Sequence, residues 1–148
     1  MPSATLVIVD MQPTFAASKN PNTIIAIANE IILAKQKRHG IMIVEYSGSG
    51  QTYSGFDNLL RGYLHKAKIK KNDDDGSNEI IRALNRRNFP QQVLRVCGVN
   101  TDCCVHDTVV GLLRKLHKTK VEVIKDACNT ESRFDWRCYY KHPNLRLV

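Results

Sequence analysis

Apolar residues in this chain follow two alternating patterns. Short uninterrupted runs are separated by longer stretches in which apolar positions recur at helical spacing. The first run, TLVIVDM at 5–11, predicts a buried strand. PNTIIAIANEIILAKQKRHG at 21–40 carries apolar residues at 24, 25, 27, 28, 31 and 32, a helical stripe with Gly40 as its C-cap. IMIVEY at 41–46 predicts a second strand and SGSGQTYSG a loop. FDNLLRGYLHKA at 56–67 reads as a short helix and KIKK at 68–71 as a short strand. SNEIIRALNRRN at 77–88 reads as a helix capped by Ser77, and QQVLRVCGV at 91–99 as a strand. TDCCVHDTVVGLLRKLH at 101–117 predicts a helix and KVEVIKDA at 120–127 a further strand. The tail holds an aromatic segment, FDWRCYY, and then NLRLV, which predicts a final edge strand.

Strands that alternate with helices need crossover connections, so the sheet is expected to be mainly parallel and covered on both faces. The expected fold is α/β: a three-layer αβα sandwich around a Rossmann-like sheet. Residues 1–148 are expected to form one domain, because no repeat, linker or low-complexity tract divides them. Ligands of such sheets bind beyond the carboxyl ends of the strands. That rule selects Asp10 after the first strand, Lys70 and Lys71 at the end of the third, and the turn from Gly98 to Cys104 after the fourth. Thr101 or Asp102 would cap the following helix and put Cys103 and Cys104 in its first turn, where a partial positive charge favours a thiolate and N–H groups can hold an oxyanion. Each feature alone has a plainer reading: a turn cap, a solvated charge run, a packed thiol. An acid, a lysine and a thiol on one rim shift the balance toward chemistry.

Composition narrows the function classes. With 43% apolar and 24% charged residues among 148, the chain reads as a folded domain, and no apolar run is long enough to span a membrane. The N-terminal segment lacks the pattern of a secretory leader, and five cysteines are an odd number, so reduced thiols in the cytoplasm are expected. No Cys pair has zinc-ribbon spacing, and neighbouring cysteines pair only under strain, which disfavours a structural metal site and a thiol-redox protein. The net charge of +8 is spread over helix ends and turns, the pattern of a solvated basic surface rather than a nucleic-acid site. His106 stands two residues past Cys104, and residues two apart on a helix point apart. His39, His65, His117 and His142 fall near element ends, Trp136, Tyr139 and Tyr140 suit core or subunit contacts, and Cys97 suits packing. Cys128 falls near the rim with no role assigned.

Four segments together resemble the isochorismatase-like cysteine hydrolases, a family that includes nicotinamidases and N-carbamoylsarcosine amidohydrolase. VIVDMQPTF is similar to the family's D-x-Q-x-x-F opening at Asp10, Gln12 and Phe15; KNDDDGS is similar to its lysine segment at Lys71, with Asp75, Gly76 and Ser77 trailing. CGVNTDCCVHDT is similar to its nucleophile motif at Gly98, Val99, Thr101, Asp102, Cys104, Val105 and Thr108, and VEVIKDAC to the next strand. The resemblance implies about six strands in an order like 3-2-1-4-5-6. It implies a catalytic triad of Asp10, Lys71 and Cys104, an oxyanion hole from the backbone N–H groups of Asn100 and Cys104, and a cis peptide between Val99 and Asn100. Gln12, Phe15, Ser77 and Cys103 would line the substrate pocket. The activity implied is hydrolysis of a small amide or related carbonyl compound through a thioester, by a homo-oligomer without a cofactor.

Departures from the family pattern matter too. VEYSGSGQTYSG lacks the D-x-H metal pair of nicotinamidases, so no metal is expected and nicotinamide is disfavoured as substrate; Ser77 replaces the usual pocket Phe; and the tail after Asp126 is short. The alternative is a catalytically silent member that binds a metabolite or a protein partner through the same pocket.

Overall fold

In the computed structural model, which describes residues 4–148, six strands form one sheet. They are β1 (Ala4–Val9), β2 (Gly40–Tyr46), β3 (Lys66–Lys71), β4 (Val93–Val99), β5 (Lys120–Asn129) and β6 (Leu145–Leu147). Their order is β3-β2-β1-β4-β5-β6, and every neighbouring pair is parallel. The first three residues of the expected domain lie outside the described residues.

Four helices cover the sheet: α1 (Pro21–Gln36), α2 (Ser54–Leu60), α3 (Ser77–Arg87) and α4 (His106–Lys115). Side chains alternate along β1, so Leu6 and Ile8 pack with Ile27 and Ile31 of α1 and Phe56 of α2. Val7 and Val9 pack on the other face with Ile80 and Leu84 of α3 and Val109 and Leu112 of α4. A strand buried on both faces has no polar side to show, which is why TLVIV reads as a continuous apolar run.

Several boundaries differ from expectation. α1 ends before Gly40: Lys37 is its C-cap, Arg38 takes the left-handed conformation, and Gly40 opens β2. α2 stops at Leu60, and Gly62, with φ +80°, turns the chain so that β3 begins earlier, at Lys66. Ser77 is not a cap. It is the first residue of α3, and its N–H donates to the Asp75 carboxylate. The expected helix 101–117 splits into a π-helical turn, Thr101–Val105, and α4.

Strand order reverses between β1 and β4, so the segments after these two strands part to opposite faces and leave a crevice. Gly98 lets the strands meet there. It has φ +122°, and a Cβ on it would lie 2.0 Å from the carbonyl oxygen of Val9. On its other side the β4–β5 register shifts between Val96 and Gly98.

Candidate active site

Asp10 leaves β1 with φ 55°, a left-handed turn that Asp tolerates, while its N–H still donates to the Val44 carbonyl. This turns the carboxylate out of the strand line, yet the residue stays 1% exposed. Lys71 comes from β3, two strands away across β2. Neighbouring strands stand about 4.8 Å apart, so its side chain must reach over the end of β2 to meet Asp10. It does so across the ring of Tyr46, with Nζ 4.0 Å from the ring centroid and 3.1 Å from Oδ2 of Asp10. The Lys71 ammonium also donates to the Asp73 carbonyl and is fully buried. Gly76 makes room for the stem: a Cβ there would lie 2.7 Å from Cδ of Lys71.

Cys104 enters from β4. After a cis peptide between Val99 and Asn100, the Asn100 carbonyl accepts from the N–H groups of both Cys103 and Val105. That double acceptance widens the first turn to π geometry, an irregularity often found at functional sites. The N–H of Cys104 stands between those two donors. Cys104 is 7% exposed as a residue, and its sulfur lies 3.6 Å from Oδ1 of Asp74. Neither oxygen of Asp10 has an aligned hydrogen-bond donor, but the carboxylate acts on the Cys104 thiol electrostatically.

The electrostatics correct one expectation. The Cys104 thiol is pushed well up, first by burial and then by the neighbouring Asp10 carboxylate, with Lys71 only partly opposing them. Both effects favour the thiol over the thiolate at rest. Burial likewise raises the Asp10 carboxyl against the lowering effect of Lys71. An acid with raised proton affinity beside an un-ionised thiol is arranged for proton transfer during attack rather than for a standing ion pair.

The four expected pocket residues separate. Gln12 is buried and its amide clasps the backbone of Tyr46 at N–H and carbonyl and the carbonyl of Gly50, so it shapes the loop after β2. Phe15 lies edge-on to Tyr46. Ser77 does not reach the crevice: it is fully buried, and its hydroxyl accepts from Lys115 of α4. Cys103 is exposed, with its sulfur 3.6 Å from Oδ2 of Asp74.

Two residues at the site were not singled out by the sequence. Tyr46 is the floor under Lys71, and its hydroxyl donates to Asp74 at 3.4 Å. Asp74 faces both thiols because Thr108 of α4 donates to its carbonyl and accepts from the N–H of Gly76, pinning the β3–α3 loop. The signal for Tyr46 was its place as the last residue of a strand; nothing distinguished Asp74 within Asp73–Asp75. Beyond β5, Thr130 and Ser132 donate to the Asp102 carboxylate, and Glu131 N–H donates to the Asn100 side chain. Burial alone would raise Asp102, but the hydroxyls of Ser132 and Thr130 outweigh it and hold the group below the usual carboxylate range.

A cavity of about 350 Å³ opens beside Cys103, lined by Asn100, Asp102, Cys103, Thr130, Glu131 and Ser132. A larger one, about 480 Å³, lies between His106 and the tail residues Phe134 and Tyr139 and touches none of Asp10, Lys71 or Cys104. The smaller cavity is not lined by those three residues either, but it alone of the two reaches Asn100 and Cys103, the neighbours of Cys104 in the turn after β4. His106 there packs edge-on against Tyr139 and contacts Asp107, away from the crevice. No helix among the described residues is long and apolar enough to cross a membrane.

The chain has the three-layer α/β fold of known amidases. It is similar to a nicotinamidase from Staphylococcus aureus (TM-score 0.77, 19% identity, covering 90% of this chain and 88% of that one). It is also similar to an N-carbamoylsarcosine amidase from Thermoplasma acidophilum (0.74, 16%, 99% and 95%). A third likeness is to the MAR1 ribonuclease of Caenorhabditis elegans (0.76, 20%, 88% and 67%). At these identities the likeness is one of fold. No protein-family model and no curated protein sequence matches the chain.

Proposed function

We propose that the chain is an isochorismatase-like cysteine hydrolase that cleaves a small amide or related carbonyl compound through a thioester on Cys104. The observation that carries this reading is the joint burial of Asp10, Lys71 and Cys104 at the crevice where strand order reverses, each supplied by a different strand or its following turn. The fold shared with two amidases supports it.

The mechanism uses this chain's own groups. Cys104 sulfur attacks the carbonyl carbon as its proton passes to Asp10, and the carbonyl π electrons move to oxygen. The backbone N–H groups of Asn100 and Cys104 hold that oxyanion. On collapse the C–N bond breaks and Asp10 returns the proton to the departing nitrogen, leaving the thioester. Water then attacks the thioester, Asp10 takes its proton, and collapse releases the acid and restores the Cys104 thiol. Lys71 holds Asp10 in place and keeps the carboxylate basic form accessible against the burial that opposes it. Its charge becomes most useful when a proton sits on neither Asp10 nor sulfur.

The reading includes a small-molecule substrate, a reducing cytoplasmic setting that suits five free cysteines, and a homo-oligomer. Ile25 and Ile32, seven residues apart on α1 and both exposed, supply an apolar stripe for the last of these.

The test is turnover across a panel of small amides, N-carbamoyl compounds and esters, with Cys104→Ser, Asp10→Asn and Asp74→Asn compared at matched folding by circular dichroism. Asp10→Asn is expected to lower kcat by about 100-fold to 10,000-fold, the usual contribution of a positioned proton carrier, and Cys104→Ser to abolish acyl-enzyme detected by mass spectrometry. Full turnover by Asp10→Asn would overturn the assignment, and loss confined to Asp74→Asn would transfer the proton role to Asp74.

A further inference from the structure

The oxygen and sulfur atoms of Asp74, Cys103 and Cys104 all lie within 4.8 Å of one another. Each thiol sulfur is 3.6 Å from its own oxygen of the Asp74 carboxylate, Cys103 from Oδ2 and Cys104 from Oδ1. Around a tetrahedral zinc ion, with Zn–S about 2.3 Å and Zn–O about 2.0 Å, a sulfur–oxygen edge measures about 3.5 Å and a sulfur–sulfur edge about 3.8 Å. Each sulfur stands about one such edge from a different oxygen of Asp74, and no two of the three ligand atoms are more than 4.8 Å apart. Side-chain rotations alone can therefore bring one carboxylate oxygen and both sulfurs around one ion.

We propose that Asp74, Cys103 and Cys104 form a zinc-binding site at the mouth of the crevice, with water in the fourth position. Two cysteines adjacent in sequence rarely aim both sulfurs at one point on a regular helix, since successive side chains diverge by about 100°. Here the π turn at Thr101–Val105 alters that geometry, and the carboxylate arrives from the β3–α3 loop between the two sulfurs. The donor that bridges them is fixed by partners of its own: Thr108 holds the Asp74 backbone and the Tyr46 hydroxyl donates to Oδ1. Such outer partners orient ligands in metal sites. Asp74 and Cys103 are exposed, so an ion reaches them from solvent.

The balance is simple. One Zn²⁺ binds one carboxylate and two thiols, and two protons leave to solvent. The two new Zn–S bonds replace two S–H bonds, and the site goes from −1 to −1 overall, since two positive charges enter and two protons depart. The facing cation, Lys71, is already paired with Asp10, so it repels the ion less than a free ammonium would. Soft thiolates select zinc or cadmium over magnesium and calcium. The consequence, reversible blocking of the nucleophile by zinc, rests on the hydrolase reading; the site itself does not.

The experiment is titration of the reduced full-length protein with Cd²⁺, read by thiolate-to-metal charge-transfer absorption, and with Zn²⁺ in competition with a chromophoric chelator. Saturation at one ion per chain is expected, with Zn²⁺ affinity lowered more than about 100-fold in Cys103→Ser and at least about 10-fold in Asp74→Asn, since loss of a mere outer partner already costs about 10-fold to 100-fold. Cys138→Ser, remote from the site, is expected to bind as the parent does. Absence of saturation at one equivalent, or affinity unchanged in Cys103→Ser, overturns the site. Amide turnover is measured separately in chelator: binding without turnover overturns the hydrolase reading alone, and turnover without binding overturns the zinc site alone.

Discussion

Replacing Lys71 by Met removes the ammonium 3.1 Å from Asp10 and leaves an acidic side chain that is 2% exposed with no counter-charge. Two responses compete. If Asp10 stays ionised, the lost attraction is about 5 kcal/mol at an effective dielectric near 20. If it takes a proton, the cost is that of protonating a group whose unfolded counterpart ionises near 3.8; at pH 7 this is about 4 kcal/mol, at about 1.36 kcal/mol per pH unit. Protonation is the cheaper response. The native state of the variant therefore holds a proton that the unfolded state has released, so stability is full below the unfolded value and falls as pH rises, by about 1.4 kcal/mol per unit. No longer burying an ammonium shifts every value equally and leaves the slope untouched. Urea denaturation of parent, Lys71→Met and Lys71→Met/Asp10→Asn at pH 5, 6, 7 and 8 measures it. The single variant should lose stability steeply across this range, and the double variant, whose amide cannot ionise, should be flat and more stable at pH 8. A flat single variant, or a double variant no better than it, would refute the buried-pair argument.

The remaining predictions concern the geometry around that pair. Gly98→Ala would put a Cβ on the Val9 carbonyl oxygen in a positive-φ backbone and should cost more than about 3 kcal/mol in urea denaturation, whereas Gly48→Ala, with φ +79° but no atom within 4 Å, should cost about 1–2 kcal/mol. Because burial and Asp10 push the Cys104 thiol up, its alkylation, followed by mass spectrometry, should keep accelerating with pH past 8; a plateau at or below pH 7 would contradict this. Thr108→Val keeps shape but loses the hydroxyl bonds to Gly76 N–H and the Asp74 carbonyl, and should cost about 1–3 kcal/mol and slow turnover, since the Asp74 loop is no longer pinned.

Much of the architecture was written in the alternation of patterns: TLVIV and IMIVEY are legible as doubly buried strands because nothing polar interrupts them. Asp10 was visible because a carboxylate ends such a run. Errors came where one hydrogen bond decides a boundary. Ser77 has the right chemistry for a cap, but Asp75, two residues earlier, takes its N–H and the helix starts one residue sooner. The π turn was invisible because its cause, double acceptance by the Asn100 carbonyl, belongs to the backbone. Position at a helix start suggested a thiolate at Cys104, but that rule omits the burial and the carboxylate that reverse it. Tyr46 and Asp74 depended on the β2–β3 register and on Thr108, which is remote in sequence from both.

Lys71 ends an edge strand, and this has a cost in robustness. β3 pairs only with β2, and Lys68 and Lys70 face solvent, a charged margin that discourages edge-to-edge association. Edge elements open locally at lower free energy than the centre of a sheet. Asp10 and Cys104 directly follow the central strands β1 and β4, so mild heating is expected to uncouple the lysine from its partners while β1 and β4 remain paired. On the hydrolase reading, loss of turnover on heating should then precede loss of the sheet, by a margin that reports how firmly one border strand stays zipped.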